Sequence, residues 1–148
     1  MPQEIPSLVA VGLNLGGLAA LLFLVANLAV IFHLVQRLIA PKSRWAWLDG
    51  LRRRWHYVHY IGNLAMVGAM IAHAALLGPY ASPLHWLLVA LLVWMAGVGI
   101  TLRFTNASPK VKRGLSRLHS RWYMFVAVLV VLIAAHIWSL PNFPYPLE

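Results

Sequence analysis

Apolar residues fall into four long runs divided by short polar stretches. The runs extend from about Leu8 to Leu38, Tyr57 to Leu77, Leu84 to Leu102 and Trp122 to Leu140. A helix needs about 20 apolar residues to cross the hydrocarbon core of a bilayer, and the last three runs match that length. The first is about ten residues longer, so as one helix it must tilt or project beyond the core. No Asp, Glu or Lys stands inside any run, and Arg37 comes only near the end of the first. The pattern predicts an all-α integral membrane protein: a single membrane domain over residues 1–148, built as a bundle of four transmembrane helices. The first run lacks a basic leader and is far longer than the apolar part of a signal peptide, so it is expected to be a retained helix.

Composition agrees and charge adds direction. The chain is 61% hydrophobic and 10% charged, against about 45–50% and about 25% in soluble domains. All 12 Lys and Arg residues lie in two connections. The first carries Arg37, Lys42, Arg44, Arg52, Arg53 and Arg54; the second carries Arg103, Lys110, Lys112, Arg113, Arg117 and Arg121. The middle connection, Gly78 to Pro83, and both termini carry none. The positive-inside rule therefore makes both basic loops cytoplasmic and puts both termini outside. The net charge of +9 is then a topology signal and an attraction to anionic headgroups, with no nucleic-acid partner needed. Trp45, Trp47, Trp55, Tyr57 and Trp122 mark the inner interface; Tyr80, Trp86, Trp138 and Tyr145 mark the outer one. Trp94 falls near the middle of the third run, where it either packs in the bundle or faces a cofactor. Residues 43–55 mix Trp, Leu and Arg and are expected to lie flat on the inner surface.

A faint repeat relates the two halves. At an offset of 63 residues, Arg54, His56, Tyr60, Val67, Ala72 and His73 match Arg117, His119, Tyr123, Val130, Ala135 and His136. Such matches are common by chance in apolar helices.

The absence of cysteine removes disulfides, Cys-ligated zinc, iron–sulfur clusters and thioether-attached haem. Seven histidines remain. Ionisable side chains inside a bilayer are costly and tend to mark function, although any one of them can be an ordinary interhelical hydrogen bond. Here they fall into depth bands. His73 and His136 lie toward the outer side, and His33, His56, His59 and His119 toward the inner side, while His85 opens the third run. Two bands suit two cofactors stacked across the membrane, and a b-type haem needs one imidazole on each side of its iron. Zinc or copper transport would add carboxylates, Met clusters or Cys along a polar path, and the runs contain no carboxylate.

Spacing on the second run sharpens this. His59 and His73 are 14 residues apart, which on a helix is a rotation of about −40° and a rise of about 21 Å. Both imidazoles point to one side. His119 and His136 are 17 apart, so one of them needs a helix bend or a rotated approach. The outer pair is read as His73 with His136. The inner pair is read as His59 with His119, with His56 and His33 as replacements at similar depth. Gly62, Ala65, Gly68, Ala69 and Ala72 allow close approach of a flat macrocycle or of another helix. Arg53, Arg54, Arg117 and Arg121 either pair with haem propionates or are plain inner-side charge.

The segment His59-Tyr-Ile-Gly-Asn-Leu-Ala-Met-Val-Gly-Ala-Met-Ile-Ala-His73 resembles the ligand helix of di-haem membrane cytochromes b. These include the ferric-reductase-like group and the cytochrome b subunits of formate dehydrogenases and hydrogenases. The fourth run, with His119 and His136, resembles the partner helix but departs from the usual spacing. The resemblance implies two haem b groups held by His73, His136, His59 and His119, and electron transfer between a quinone pool and a redox partner. With no flavin, nucleotide or iron–sulfur segment in the chain, the expectation is a membrane subunit of a larger oxidoreductase. An extracytoplasmic cytochrome or catalytic subunit would dock on Gly78–Leu84 and the tail Pro141–Glu148. The expected location is the cytoplasmic membrane of a bacterium or archaeon. Two other classes remain. One is a (bacterio)chlorophyll-binding protein, since Ala135-His136-Ile-Trp138 resembles a light-harvesting ligand environment; the other is a non-redox scaffold or assembly subunit.

Overall fold

The first apolar run is two helices. A computed structural model describes residues 6–43, 45–139, 141 and 143, and in it α1 (Ser7–Ala26) and α2 (Leu28–Ile39) are separated at Asn27. Asparagine competes for helix carbonyls with its own side chain. The buried Asn27 amide does so here, donating to the Phe23 carbonyl at 2.9 Å and to Asn63 Oδ1 at 3.0 Å. The expectation of one long helix is corrected accordingly.

Four further helices follow: α3 (Ala46–Leu77), α4 (Pro83–Phe104), α5 (Pro109–His119) and α6 (Trp122–Ser139). Among the described residues there is no strand. Four segments are long and apolar enough to cross a membrane: α1, α3 with the 3₁₀ turn that follows it, α4 and α6. The fourth run was read to Leu140, which lies outside the described residues, as do Arg44 and most of the tail, including Tyr145.

At 32 residues α3 is about 48 Å long, well beyond a hydrocarbon core of about 30 Å. Residues 43–55 were expected to lie flat as a separate segment. Instead, from Ala46 onward they form the first turns of α3. Leu48 is buried there, Trp47 meets Phe32 edge-on at 5.6 Å, and Trp55 Nε1 donates to the Val25 carbonyl at 2.8 Å. These contacts hold the segment in line with the helix. Gly78 and Pro79 then end α3. A capping box at Ser82 and a proline at the first helical position restart the chain as α4. The second basic connection is likewise more than a loop. Ser108 caps α5 by accepting from the Val111 amide at 3.4 Å, with Pro109 at the first position.

The core is Ala19, Met66, Val67, Met70, Leu88, Leu92 and Val128, drawn from α1, α3, α4 and α6. Leu8, Ile61, Leu64, Val130, Ile133 and Ile137 face outward, as surfaces in contact with lipid do. Trp94 is also exposed, away from the bundle centre. The most extensive packing is between α1 and α3, which run antiparallel, whereas α6 leans on α4. Two glycines set the α1–α3 approach: a Cβ at Gly62 would lie 2.8 Å from Ala26 Cβ, and one at Gly12 would lie 2.9 Å from Leu77. The weak repeat does not carry through the inner end, where His56 lies within α3 but His119 closes α5.

Gly62→Leu is expected to destabilise the folded protein by about 1–3 kcal/mol through overpacking. Gly68→Ala, with no atom within 4 Å of the added carbon, should stay within about 0.5 kcal/mol of the parent. Loss of far-ultraviolet circular dichroism across an SDS titration in mixed micelles reads both.

Candidate functional site

The helix arrangement brings four of the seven histidines together as two pairs. At the end of the bundle beside residues 78–83, the expected outer end, His73 on α3 faces His136 on α6, with ring centroids 6.4 Å apart and planes 13° from parallel. At the opposite, expected inner end, His59 on α3 faces His119 at the end of α5, with centroids 6.3 Å apart and planes at 76°. The bend needed by the 17-residue spacing of His119 and His136 is the turn at Ser120 and Arg121 between α5 and α6. His56 lies instead against Tyr57, at 4.0 Å, and bonds to the Arg53 carbonyl. His33 is exposed on α2.

Each α3 imidazole is anchored to the backbone of α1. His73 Nδ1–H donates to the Gly12 carbonyl at 2.8 Å; His59 Nδ1 lies 3.3 Å from the Ala26 carbonyl, to which it donates in one tautomer, and 3.2 Å from Asn63 Nδ2, from which it accepts in the other. His136 Nδ1–H donates to Leu132, one turn back on its own helix, at 2.8 Å. A carbonyl partner fixes the proton on Nδ1 and leaves the Nε2 lone pair free, the usual state of a metal-ligating histidine. Around His59 the support extends further. Asn63 Nδ2 donates to the His59 carbonyl at 2.7 Å and Asn63 Oδ1 accepts from Asn27 at 3.0 Å.

The outer pair borders a cavity of about 200 Å³ between α1, α3, α4 and α6. Its walls include Gly16, Phe23, Met70, Leu92, Val128 and a third imidazole, His85, whose ring is 5.1 Å from that of His136. His85 Nδ1 accepts from the Ser82 amide at 3.1 Å, so it serves both the cap of α4 and the cavity wall. Gly16 is required by His73, since a Cβ there would lie 2.6 Å from the ring. Gly12, Gly16, Asn27, Asn63 and His85 were not singled out in the sequence as site residues. The readable signal was the Gly12-xxx-Gly16 pair, a spacing that lets another helix approach closely.

The inner pair has a different surrounding. Tyr60 lies edge-on to His59 at 5.7 Å and below the Arg103 guanidinium at 6.0 Å. His119 Nδ1 is buried without a hydrogen-bond partner.

The geometry admits a specific metal chemistry. An imidazole nitrogen sits about 2.0 Å from a first-row metal, so two rings on opposite sides of one ion have centroids about 6.3 Å apart. Both pairs meet that spacing. No group of three or more His, Cys, Asp or Glu side chains able to hold a metal is present among the described residues. Each pair on its own thus offers two imidazole nitrogens, fewer than the four protein ligands of a structural zinc site.

Burial, and after it the neighbouring His59, holds His119 below the ordinary histidine value of 6.5. Below pH 6.5 the folded chain thus binds fewer protons here than the unfolded chain. The stability this group contributes is complete above 6.5 and is lost as pH falls through the lowered folded value. Titration of the cofactor-free protein by ¹⁵N-histidine NMR should put the His119 midpoint below 6.5, and His59→Gln should move it upward. A His119 midpoint at the ordinary value would contradict the buried inner pair.

No protein-family model, curated protein or solved structure matches this chain, so its own residues and geometry carry the functional reading.

Proposed function

We propose that this protein is a membrane cytochrome b subunit holding two non-covalent b-type haems, one toward each side of the bilayer. It passes electrons between a quinone pool and a redox partner. The observation that carries the reading is the presence of two histidine pairs whose ring separations, 6.4 and 6.3 Å, would leave room for each pair to hold one iron. His73 and His59 stand about 21 Å apart along α3, a separation that suits sites in opposite halves of a core about 30 Å thick.

Haem, when bound, supplies a one-electron iron couple whose potential follows its axial ligands, hydrogen bonding and burial. The chain's own residues provide those controls. Carbonyls of Gly12, Ala26 and Leu132 orient the imidazoles and raise their basicity as ligands. Phe23, Met70, Leu92 and Val128 keep water from the outer site. Gly16 makes room for the His73 ring. At the inner site Arg103, over Tyr60, joins Arg117 and Arg121 as a cation available to a propionate.

The proposed orientation follows the basic residues, with both termini outside and both basic connections cytoplasmic, in a bacterial or archaeal cytoplasmic membrane. The outer connection, 78–83, lies beside the outer pair and is uncharged. An extracytoplasmic cytochrome or catalytic subunit docks there in this reading, and a quinone exchanges electrons at one of the two sites.

The purified protein, supplemented with haem during expression, is expected to give two b haems per chain in a pyridine haemochrome assay. Low-temperature electron paramagnetic resonance should resolve a rhombic low-spin signal from the near-parallel outer pair. The near-perpendicular inner pair should give a highly anisotropic one. His73→Ala and Gly16→Leu should each abolish the rhombic signal and spare the other. Gly17→Leu, with open space at its added carbon, should keep both. A colourless product would sink this reading in favour of a scaffold, and a magnesium-tetrapyrrole spectrum would replace it with a chlorophyll protein.

A further inference from the structure

The search for a second feature leads to α5. The helix has two unlike sides. Val111, Leu115 and Leu118 share one; Lys110, Arg113 and Arg117 gather on another. Much of the apolar side is not covered by protein: Val111 is 49% and Leu118 38% exposed, while Leu115 is half-buried. Among the described residues α5 makes no hydrogen bond to another helix. Its links to the fold include packing on α4 and the ring of His119, which stands 3.8 Å from where a Cβ on Gly99 would lie and at a centroid distance of 6.3 Å from His59.

What covers that side follows from continuity. α5 lies between α4 and α6, two helices long and apolar enough to cross a membrane. Only a few residues separate it from each, so it is confined to the bilayer surface. From Arg103 to Arg121 the chain carries six cations and no acid. An amphipathic helix of this kind buries its apolar side at the headgroup boundary and directs its cations to anionic lipids.

We infer that α5 is a docking helix for the anionic headgroups of the surrounding bilayer, and that its seat there holds His119 opposite His59. The lipid contact stands on α5 alone; its consequence for the inner pair rests on the haem reading above. His119 is the last residue of α5 and its Nδ1 has no carbonyl to orient it. Its position is therefore set by where the helix sits. His73, His136 and His59 each have a carbonyl anchor and do not share this dependence.

The test uses the full chain in nanodiscs of phosphatidylcholine alone and of phosphatidylcholine with phosphatidylglycerol. The chain has no cysteine, so Val111→Cys accepts a single environment-sensitive fluorophore. Emission should shift to the blue in the anionic discs. Each cation near an anionic surface strengthens binding about fivefold, so Lys110→Gln with Arg113→Gln should weaken the anionic preference about thirtyfold. In the haem-loaded protein the anisotropic inner signal should be lost or broadened in phosphatidylcholine alone and restored by phosphatidylglycerol, with the rhombic outer signal constant. Emission indifferent to lipid charge would overturn the docking, including in favour of an acidic protein partner. A blue shift with an unchanged inner signal would overturn the coupling to His119. Failure to load haem in any lipid would strike the functional reading, while the fluorophore would still judge the docking.

Discussion

The arrangement depends on the antiparallel contact between α1 and α3. Two α3 imidazoles reach two α1 carbonyls, and the intervals agree: 14 residues separate His59 from His73, and 14 separate Gly12 from Ala26. Because the helices run in opposite directions at equal rise per residue, one register satisfies both bonds at once. A shift of one residue along either helix would break both. Small residues at Gly12, Gly16 and Gly62 let the backbones come close enough for the bonds to form. In a medium without water a buried N–H has few other partners, so this register combines packing with polar satisfaction.

Support for the rings is unequal. His73 and His136 direct Nδ1 at one carbonyl each, His59 Nδ1 stands between the Ala26 carbonyl and the Asn63 amide, and His119 Nδ1 has no partner. The His73–His136 pair borders the cavity among α1, α3, α4 and α6, with His73 half-buried and His136 exposed. The inner pair joins a spanning helix to a short surface helix. The planes differ as well, near parallel outside and near perpendicular inside. Two histidine pairs of the same chemistry thus stand in unlike surroundings and at unlike distances from the basic residues that flank α5.

Much of this was legible in the residues, for identifiable reasons. Four apolar runs announce helices because bilayer thickness fixes their length. The 14-residue interval of His59 and His73 announces a shared face because helical rotation nearly closes over that interval. The break at Asn27 was hidden, since hydropathy averages over a single polar residue and the break is made by a partner, Asn63, that is 36 positions away. α5 was hidden for the opposite reason: a polar, Gly-containing stretch between apolar runs reads as a loop until its caps and its two unlike sides are considered. The nearness of His85 to His136 depends on how α4 leans on α6, which no local pattern carries. That residues from Ala46 onward join α3 was hidden because aromatic and basic composition resembles a separate surface segment even where Leu48 and Trp55 continue a helix.

Each ring pair takes one member from the N-terminal hairpin and one from the C-terminal segment. His59 and His73 belong to α3; His119 and His136 follow α4. Neither half contains a complete pair, so the rings meet only where α5 and α6 come against α3. The two ring contacts therefore tie the halves of the chain together, one near each end of α3's membrane-spanning part.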